Sequence, residues 1–371
     1  DMDDAIICHV FEANAPGKDL QPLVLPAELP GLDPLVLPAD PNPSSDRWMD
    51  LAISAAKRSG EEDPLAWLDL DQRGGTGPNG KQSYTVAEAA ANLTWASWAN
   101  FLAQPVNITY AFRATAPDTM PSDTGGFSQF NAEQIAATEL LLQGWSDVAG
   151  ITFTRVGSGT SGEGAFSNDA TMLFGNYASG AAGAAAFAYL PGDTSHGSNS
   201  GDVWVNSSLA YNAAPAYLAY GYLALLHEIG HTFGLGHPGN YNAGPGQTIT
   251  YANHAEFYED TRQYSVMSYF SETNTGGNFG GRYASAPLLD DIAAAQRLYG
   301  ANMTTRTGDT VYGFNSNAGR IWYDATQGGA ARAVIFAVWD AGGTDTLDFS
   351  GYSQNGVIDL RQGYFSSVGG L

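Results

Sequence analysis

Six histidines occur in the 371 residues, and three of them stand within "HEIGHTFGLGH", from His227 to His237. His227 and His231 are four apart, so on an α-helix they share one face. Their ring nitrogens can then converge on one ion, at the roughly 2.0–2.1 Å usual between zinc and nitrogen. Glu228 points about 100° away around the helix. Its carboxylate is badly placed to ligate the same ion and well placed for a water beside it. His237 cannot belong to the same straight helix, because ten residues at about 1.5 Å each would carry it about 15 Å from His227. The chain must turn back first. Gly234 enters left-handed backbone without steric cost, and Pro238 prevents helix from resuming. Helix, glycine turn and third histidine together predict a three-nitrogen pocket. The bland alternative is a helix with surface histidines, and the full spacing HExxHxxGxxH weighs against it.

Three neutral imidazoles leave the ion's charge intact and one coordination position open. That is the catalytic pattern, whereas structural zinc sites close with four protein ligands, commonly cysteines. Zinc lowers the pKa of a bound water to about 7. Glu228 is placed to take that water's proton and hand it to a leaving amine.

These groups need a scaffold. "NAEQIAATELLLQGWSDVAG" (131–150) spaces Ile135, Leu142 and Trp145 as an amphipathic helix would, with Gly150 at its end. Residues 215–235 and 287–300 read as two further helices. Short β-like runs lie at 106–112, 151–156, 171–177, 185–191 and 202–206. The amino-terminal part differs. "PLVLPA" occurs at 22–27 and again at 34–39, and prolines this dense disfavour helix and central strands. Residues 19–43 read as an extended tether with apolar beads, followed by a short helix in "SSDRWMDLAISAAKRSG". After Gly300 the helical signal stops, which sets a domain boundary near 301–305.

The chain carries 38 acidic residues against 15 Lys+Arg, a net charge of -23. Phosphate backbones are repelled by such a surface, so nucleic acid is excluded as a partner. Solubility and calcium ligation both account for the charge. One cysteine, Cys8, permits no intrachain disulfide. No stretch approaches the roughly 20 apolar residues of a membrane span.

HExxHxxGxxH followed by a methionine turn, here "YSVMSYF" around Met267, resembles the metzincin metallopeptidases. Proline directly after the third histidine and tyrosine two after the methionine are similar to the serralysin branch. "FNAEQIAATELLLQGWSDVAGITFT", "HPGNYNAG", "APLLDDIAAAQRLYGAN" and "TRTGDTVYGFNSN" extend the resemblance over roughly 79–371. It implies an α+β catalytic domain, with a twisted, mostly parallel sheet, an antiparallel edge strand and three main helices. The start of an all-β, calcium-binding β-roll follows. The domains are then 1–60, a pro-segment; 61–303, catalytic; and 304–371, the roll, cut before its full repeats.

The resemblance also implies roles. Met267 forms an apolar floor beneath the zinc. Tyr269 ligates zinc at rest and swings to steady the oxyanion. Polypeptide substrates lie extended along the exposed edge strand, matched here by Ala185, Phe187 and Tyr189. Ca²⁺ is held by Arg306, Gly308 and Thr310 through backbone oxygens, with Asp340, Gly342 and Asp345. The implied protein is a secreted, monomeric zinc endopeptidase, exported by a type I route whose signal lies beyond this chain's carboxyl end. Against it stands an extracellular calcium-stabilised binding module with a latent or blocked zinc site.

Two expectations concern the extension. Cys8 is either a thiolate ligand that displaces the zinc's water or a small apolar residue. His9, Asp3, Asp4 and Glu12 are rival ligands. In the last helix, Asp290 and Asp291 either bond the core near the methionine turn or face solvent. His196 and His254 are expected to be exposed.

Overall fold

A computed structural model describes Val10–Phe11, residues 35–38, and residues 67–369 except 122, 194–199 and 245. Cys8, His9, His196, the first "PLVLPA" and the helix expected after residue 44 lie outside the described residues.

The central element is a six-stranded sheet in the order β2-β6-β7-β5-β3-β4, made from β2 (Leu35–Leu37), β3 (Val106–Phe112), β4 (Ile151–Arg155), β5 (Met172–Tyr177), β6 (Ala186–Ala188) and β7 (Val203–Asn206). β3, β4, β5 and β7 pair in parallel. β5 is buried along its whole length, as a strand covered on both faces must be, and its sequence "MLFGNY" shows no polar alternation. β6 runs antiparallel to β7. β6 was expected to form the exposed edge, and it does not. Leu35–Leu37 of the amino-terminal segment pair with its outer side, Leu35 opposite Ala188 and Leu37 opposite Ala186.

Four helices longer than one turn accompany the sheet: α1 (Val86–Leu93), α2 (Ala132–Val148), α3 (Tyr220–Thr232) and α4 (Leu289–Tyr299). α2 begins where Asn131 accepts a hydrogen bond from the amide of Gln134, and the Gln134 side chain returns one from the amide of Asn131. Its end is not made by Gly150. Ala149 leaves the helix in an extended conformation, and Gly150 serves a close approach, since a Cβ there would stand 2.4 Å from the Tyr299 carbonyl oxygen. α3 is shorter than the 215–235 expected. Leu218 sits in left-handed backbone at φ 62° and delays the start. α4 ends at Gly300, with φ 79°. α1 was not anticipated, although Thr85 and Glu88 form a reciprocal cap at its start.

α3 packs between α2 and the strands β2, β6 and β7, so the zinc-motif helix lies directly under the antiparallel end of the sheet. One apolar core joins Ile135, Leu141 and Trp145 of α2, Leu223, Leu226 and Ile229 of α3, and Ile292 and Leu298 of α4. Beyond residue 303 the described chain carries β8 (Val311–Gly313), β9 (Val338–Trp339) and β10 (Thr346–Asp348), with single turns of 3-10 helix. β10 pairs in parallel with β8, and β9 with β1 (Val10–Phe11). Tyr312, Trp322, Tyr323 and Phe336 form a second core. Ile335 and Trp339 instead enter the main core, so the segment after 303 is welded to the α/β part rather than strung beside it.

Candidate active site

His227 and His231 lie on α3, fully buried, with Nε2 atoms 2.9 Å apart. α3 stops at Thr232, and Gly234 reverses the chain at φ 120°. A side chain at Gly234 is excluded twice over, by that conformation and by the Ala96 carbonyl oxygen 1.9 Å from where its Cβ would stand. The turn returns His237 to the first two rings, its Nε2 3.2 Å from that of His227.

The other ring nitrogens fix the tautomers. His227 Nδ1 meets the Val266 carbonyl at 2.9 Å, His231 Nδ1 the Leu235 carbonyl at 2.7 Å, and His237 Nδ1 the Tyr241 carbonyl at 2.8 Å. A carbonyl only accepts, so each Nδ1 carries the proton and each Nε2 presents a lone pair. Three lone pairs therefore face one another at about 3 Å. Without a cation that arrangement is repulsive, and a divalent ion turns it into a ligand set. Protonation does not relieve it, because burial pushes His227 down to about 4, against the upward pull of its bond to Val266. His231 and His237 are pushed well below the usual range by burial first and by the neighbouring rings second. Among the described residues this is the one group of three His, Cys, Asp or Glu side chains able to share a metal.

Glu228 is buried, and neither carboxylate oxygen has a hydrogen-bond partner among the described residues. Burial pushes its carboxyl well above the usual carboxylate range. An orphaned buried acid is costly. A water and a cation beside it would supply the missing partners, in keeping with a base that acts on water.

Known proteins share this constellation over most of the chain. It is 50% identical over 337 residues to Metallopeptidase AprA of Pseudomonas marginalis, covering 88% of this chain and 68% of that protein. It is 47% identical over 334 residues to Serralysin A of Dickeya chrysanthemi, covering 88% and 67%. Serralysin C of the same organism is 49% identical over 313 residues, covering 82% and 62%. The family description Peptidase M10 serralysin C terminal matches residues 301–371. The chain belongs to the serralysin family, metzincin zinc metalloendopeptidases. It spans about two thirds of the length of these relatives.

In this serralysin Met267 is fully buried, and its sulfur lies against Gly230, where a Cβ would stand 2.6 Å from Sδ. The floor thus depends on a glycine inside the helix, which the sequence reading passed over. Tyr269 is half-buried, its ring 4.5 Å from that of His237 and 6.1 Å from that of His227. Its hydroxyl makes only two long contacts, 3.4 Å to Asn242 Oδ1 and 3.4 Å to the Ala243 amide. Such contacts are weak enough to exchange. Burial pushes the phenol well above its ordinary pKa.

Two supports behind the rings were only partly legible. Asp291 accepts from Ser265 Oγ (2.6 Å) and from the amides of Val266 (2.9 Å) and Leu288 (2.8 Å), so it binds the methionine turn rather than solvent. Asp290 is buried as well and pairs with Arg73 through two bonds of 2.8 and 2.9 Å. Asp260 was missed. It accepts from the Tyr241 hydroxyl (2.8 Å) and Ser268 Oγ (2.7 Å), and burial pushes it up to about 7 against those bonds. Tyr241 in turn stacks on His237 at 5.4 Å. His254, expected at the surface, is half-buried, with Nδ1 accepting from the Thr250 amide.

Ala185, Phe187 and Tyr189 are all buried, because β2 covers the side of β6 on which substrate was expected. The two loops expected to hold calcium do meet. The Thr310 amide donates to Asp345 Oδ1 at 2.9 Å, and the Thr310 hydroxyl to the Gly308 carbonyl at 3.0 Å. Asp340 accepts from the Gly342 amide at 3.0 Å and from the Tyr312 hydroxyl. The Arg306 guanidinium is spent on Asp147 and the Trp339 carbonyl, which leaves only its backbone oxygen for an ion.

Proposed function

We propose that the chain is a secreted zinc endopeptidase that cleaves extended polypeptides, with Glu228 as general base and Tyr269 as oxyanion donor. The observation that carries this reading is the convergence of three Nε2 lone pairs beside a buried, unpartnered Glu228 carboxylate. His227, His231 and His237 would hold the zinc, which when bound polarises the scissile carbonyl and acidifies water.

The chain's own groups do the rest. The Val266, Leu235 and Tyr241 carbonyls hold the imidazoles in the ligating tautomer. Glu228, raised in basicity by burial, takes the attacking water's proton and returns it to the leaving amine. The Tyr269 phenol, kept protonated by the same burial, leaves its long contacts at Asn242 and Ala243 and donates to the developing oxyanion. Calcium joins the loops at Arg306–Thr310 and Asp340–Asp345 and stiffens the carboxyl-terminal part. Type I export and a monomeric state complete the reading. No helix among the described residues is long and apolar enough to cross a membrane.

A second reading has one observation in its favour: β6 is already occupied. A calcium-stabilised binding module with a blocked zinc site would look the same. Casein hydrolysis before and after limited proteolysis near residues 55–75 separates them. Activity that appears or rises, and is abolished in Glu228→Ala, supports the peptidase. Lasting inactivity of the zinc-loaded, trimmed protein supports the binder.

A further inference from the structure

The outer side of β6 is a strand-docking surface, and something already sits on it. Leu35, Val36 and Leu37 lie opposite Ala188, Phe187 and Ala186. The Ala185 amide donates to the Leu37 carbonyl at 2.9 Å. One residue on, the Tyr220 hydroxyl donates to the Pro38 carbonyl at 2.8 Å. Tyr220 opens α3, two turns before His227 on the same helix. Leu37 is 2% exposed, in the core cluster that holds Ala185, Ala186, Tyr220 and Leu223. The segment is therefore anchored by backbone pairing to β6, by one side chain in the core and by one bond to the zinc helix.

We infer that Leu35–Leu37 is a built-in occupant of the catalytic cleft, docked antiparallel on β6 in the place of an extended substrate, with Leu37 filling a leucine-accepting subsite beside α3. This rests on the endopeptidase reading and adds the inhibitor to it.

The sequence suits the part. Pro34 and Pro38 bracket the strand. Proline lacks the N–H a ladder needs, so the pairing stops after three residues. Proline also biases the residue before it to extended backbone, which pre-organises Leu37. The pairing is main-chain addition to a sheet edge, with specificity left to alternate side chains. Tethering makes so short a strand effective, because a flexible linker raises its local concentration to about the millimolar range. The hexapeptide "PLVLPA" is repeated at 22–27, so the chain carries a second copy of the same ligand.

The test compares the zinc-loaded full chain with Leu37→Asp and with Leu25→Asp/Leu37→Asp, the double change disabling both copies. Backbone amide exchange over 185–188 reads the docking, and hydrolysis of an internally quenched extended peptide reads the consequence. The expected result is fast exchange at Ala185 in the double variant and slow exchange in the unchanged chain. Apparent KM should fall about tenfold or more with kcat preserved, as for release of a tethered competitor. Free PLVLPA peptide should restore inhibition competitively. Equal exchange in all three proteins overturns the docking. Faster exchange in the double variant without a change in KM, while Glu228-dependent hydrolysis is measurable, overturns the inhibition. Docking seen by exchange with no hydrolysis in any variant instead removes the endopeptidase reading and leaves the occupant in place. Zinc content and melting temperature of each variant exclude unfolding as the cause.

Discussion

Asp291 and His227 never touch, yet one residue joins them. The Val266 amide donates to Asp291 at 2.9 Å, and the Val266 carbonyl accepts from His227 Nδ1 at 2.9 Å. The late helix α4 therefore sets the tautomer and tilt of a zinc ligand on α3 through the methionine turn. Partners of this kind are worth about 10–100-fold in metal affinity. Asp291→Asn should weaken zinc binding within that range in competition with a chelator, and lower stability by about 1–3 kcal/mol, because buried donors lose their acceptor. Unchanged zinc affinity would show that the turn holds its shape without Asp291.

Two glycines near the site should differ in tolerance. At Gly234 an added Cβ meets backbone at 1.9 Å in a left-handed conformation, whereas at Gly230 it meets the Met267 sulfur at 2.6 Å. A thioether can shift and a carbonyl cannot. Gly230→Ala should cost about 1–3 kcal/mol, as overpacking does. Gly234→Ala should cost more and take the zinc site with it. Urea titration with zinc analysis checks the order, and a reversed order would contradict the packing described.

Tyr269 should matter to the chemistry and little to metal binding. Tyr269→Phe removes an oxyanion donor and keeps the ring against His237. A fall of about 10²–10³-fold in kcat is expected, with KM and zinc content nearly unchanged. A fall in KM-controlled binding instead would make the tyrosine a substrate contact.

The metal-free protein should lose stability as it is acidified from about 6.5 to about 4. His227 has its pKa depressed to about 4 in the fold, against about 6.5 in the unfolded chain. Between those values the unfolded chain holds more protons, so stability rises with pH and falls as pH drops. His231 and His237, shifted in the same direction, steepen the slope. Thermal melts of chelated protein across this window check the sign, and the slope should shrink in His231→Gln.

The zinc trio was readable because helix period and a glycine turn leave few other uses for HExxHxxGxxH. Asp260 was not readable. It acts through the Tyr241 hydroxyl while Tyr241 offers its carbonyl to His237, and no local spacing records a chain of that kind. α1 carried a legible signal in Thr85 and Glu88, a capping pair ahead of an apolar run. The strand at Leu35–Leu37 looked like tether because its partner lies about 150 residues later, and three residues between prolines show no period. Gly150 shows the reverse error: a helix-ending residue type in a place set by the nearness of Tyr299.

Zinc K-edge absorption of the metal-loaded full chain tests the central claim most directly. Three nitrogen ligands at about 2.0–2.1 Å, with the imidazole scattering pattern reduced in His231→Gln, are predicted. A shell of oxygens alone, unaltered by that substitution, would mean that the facing rings of His227, His231 and His237 do not hold the ion.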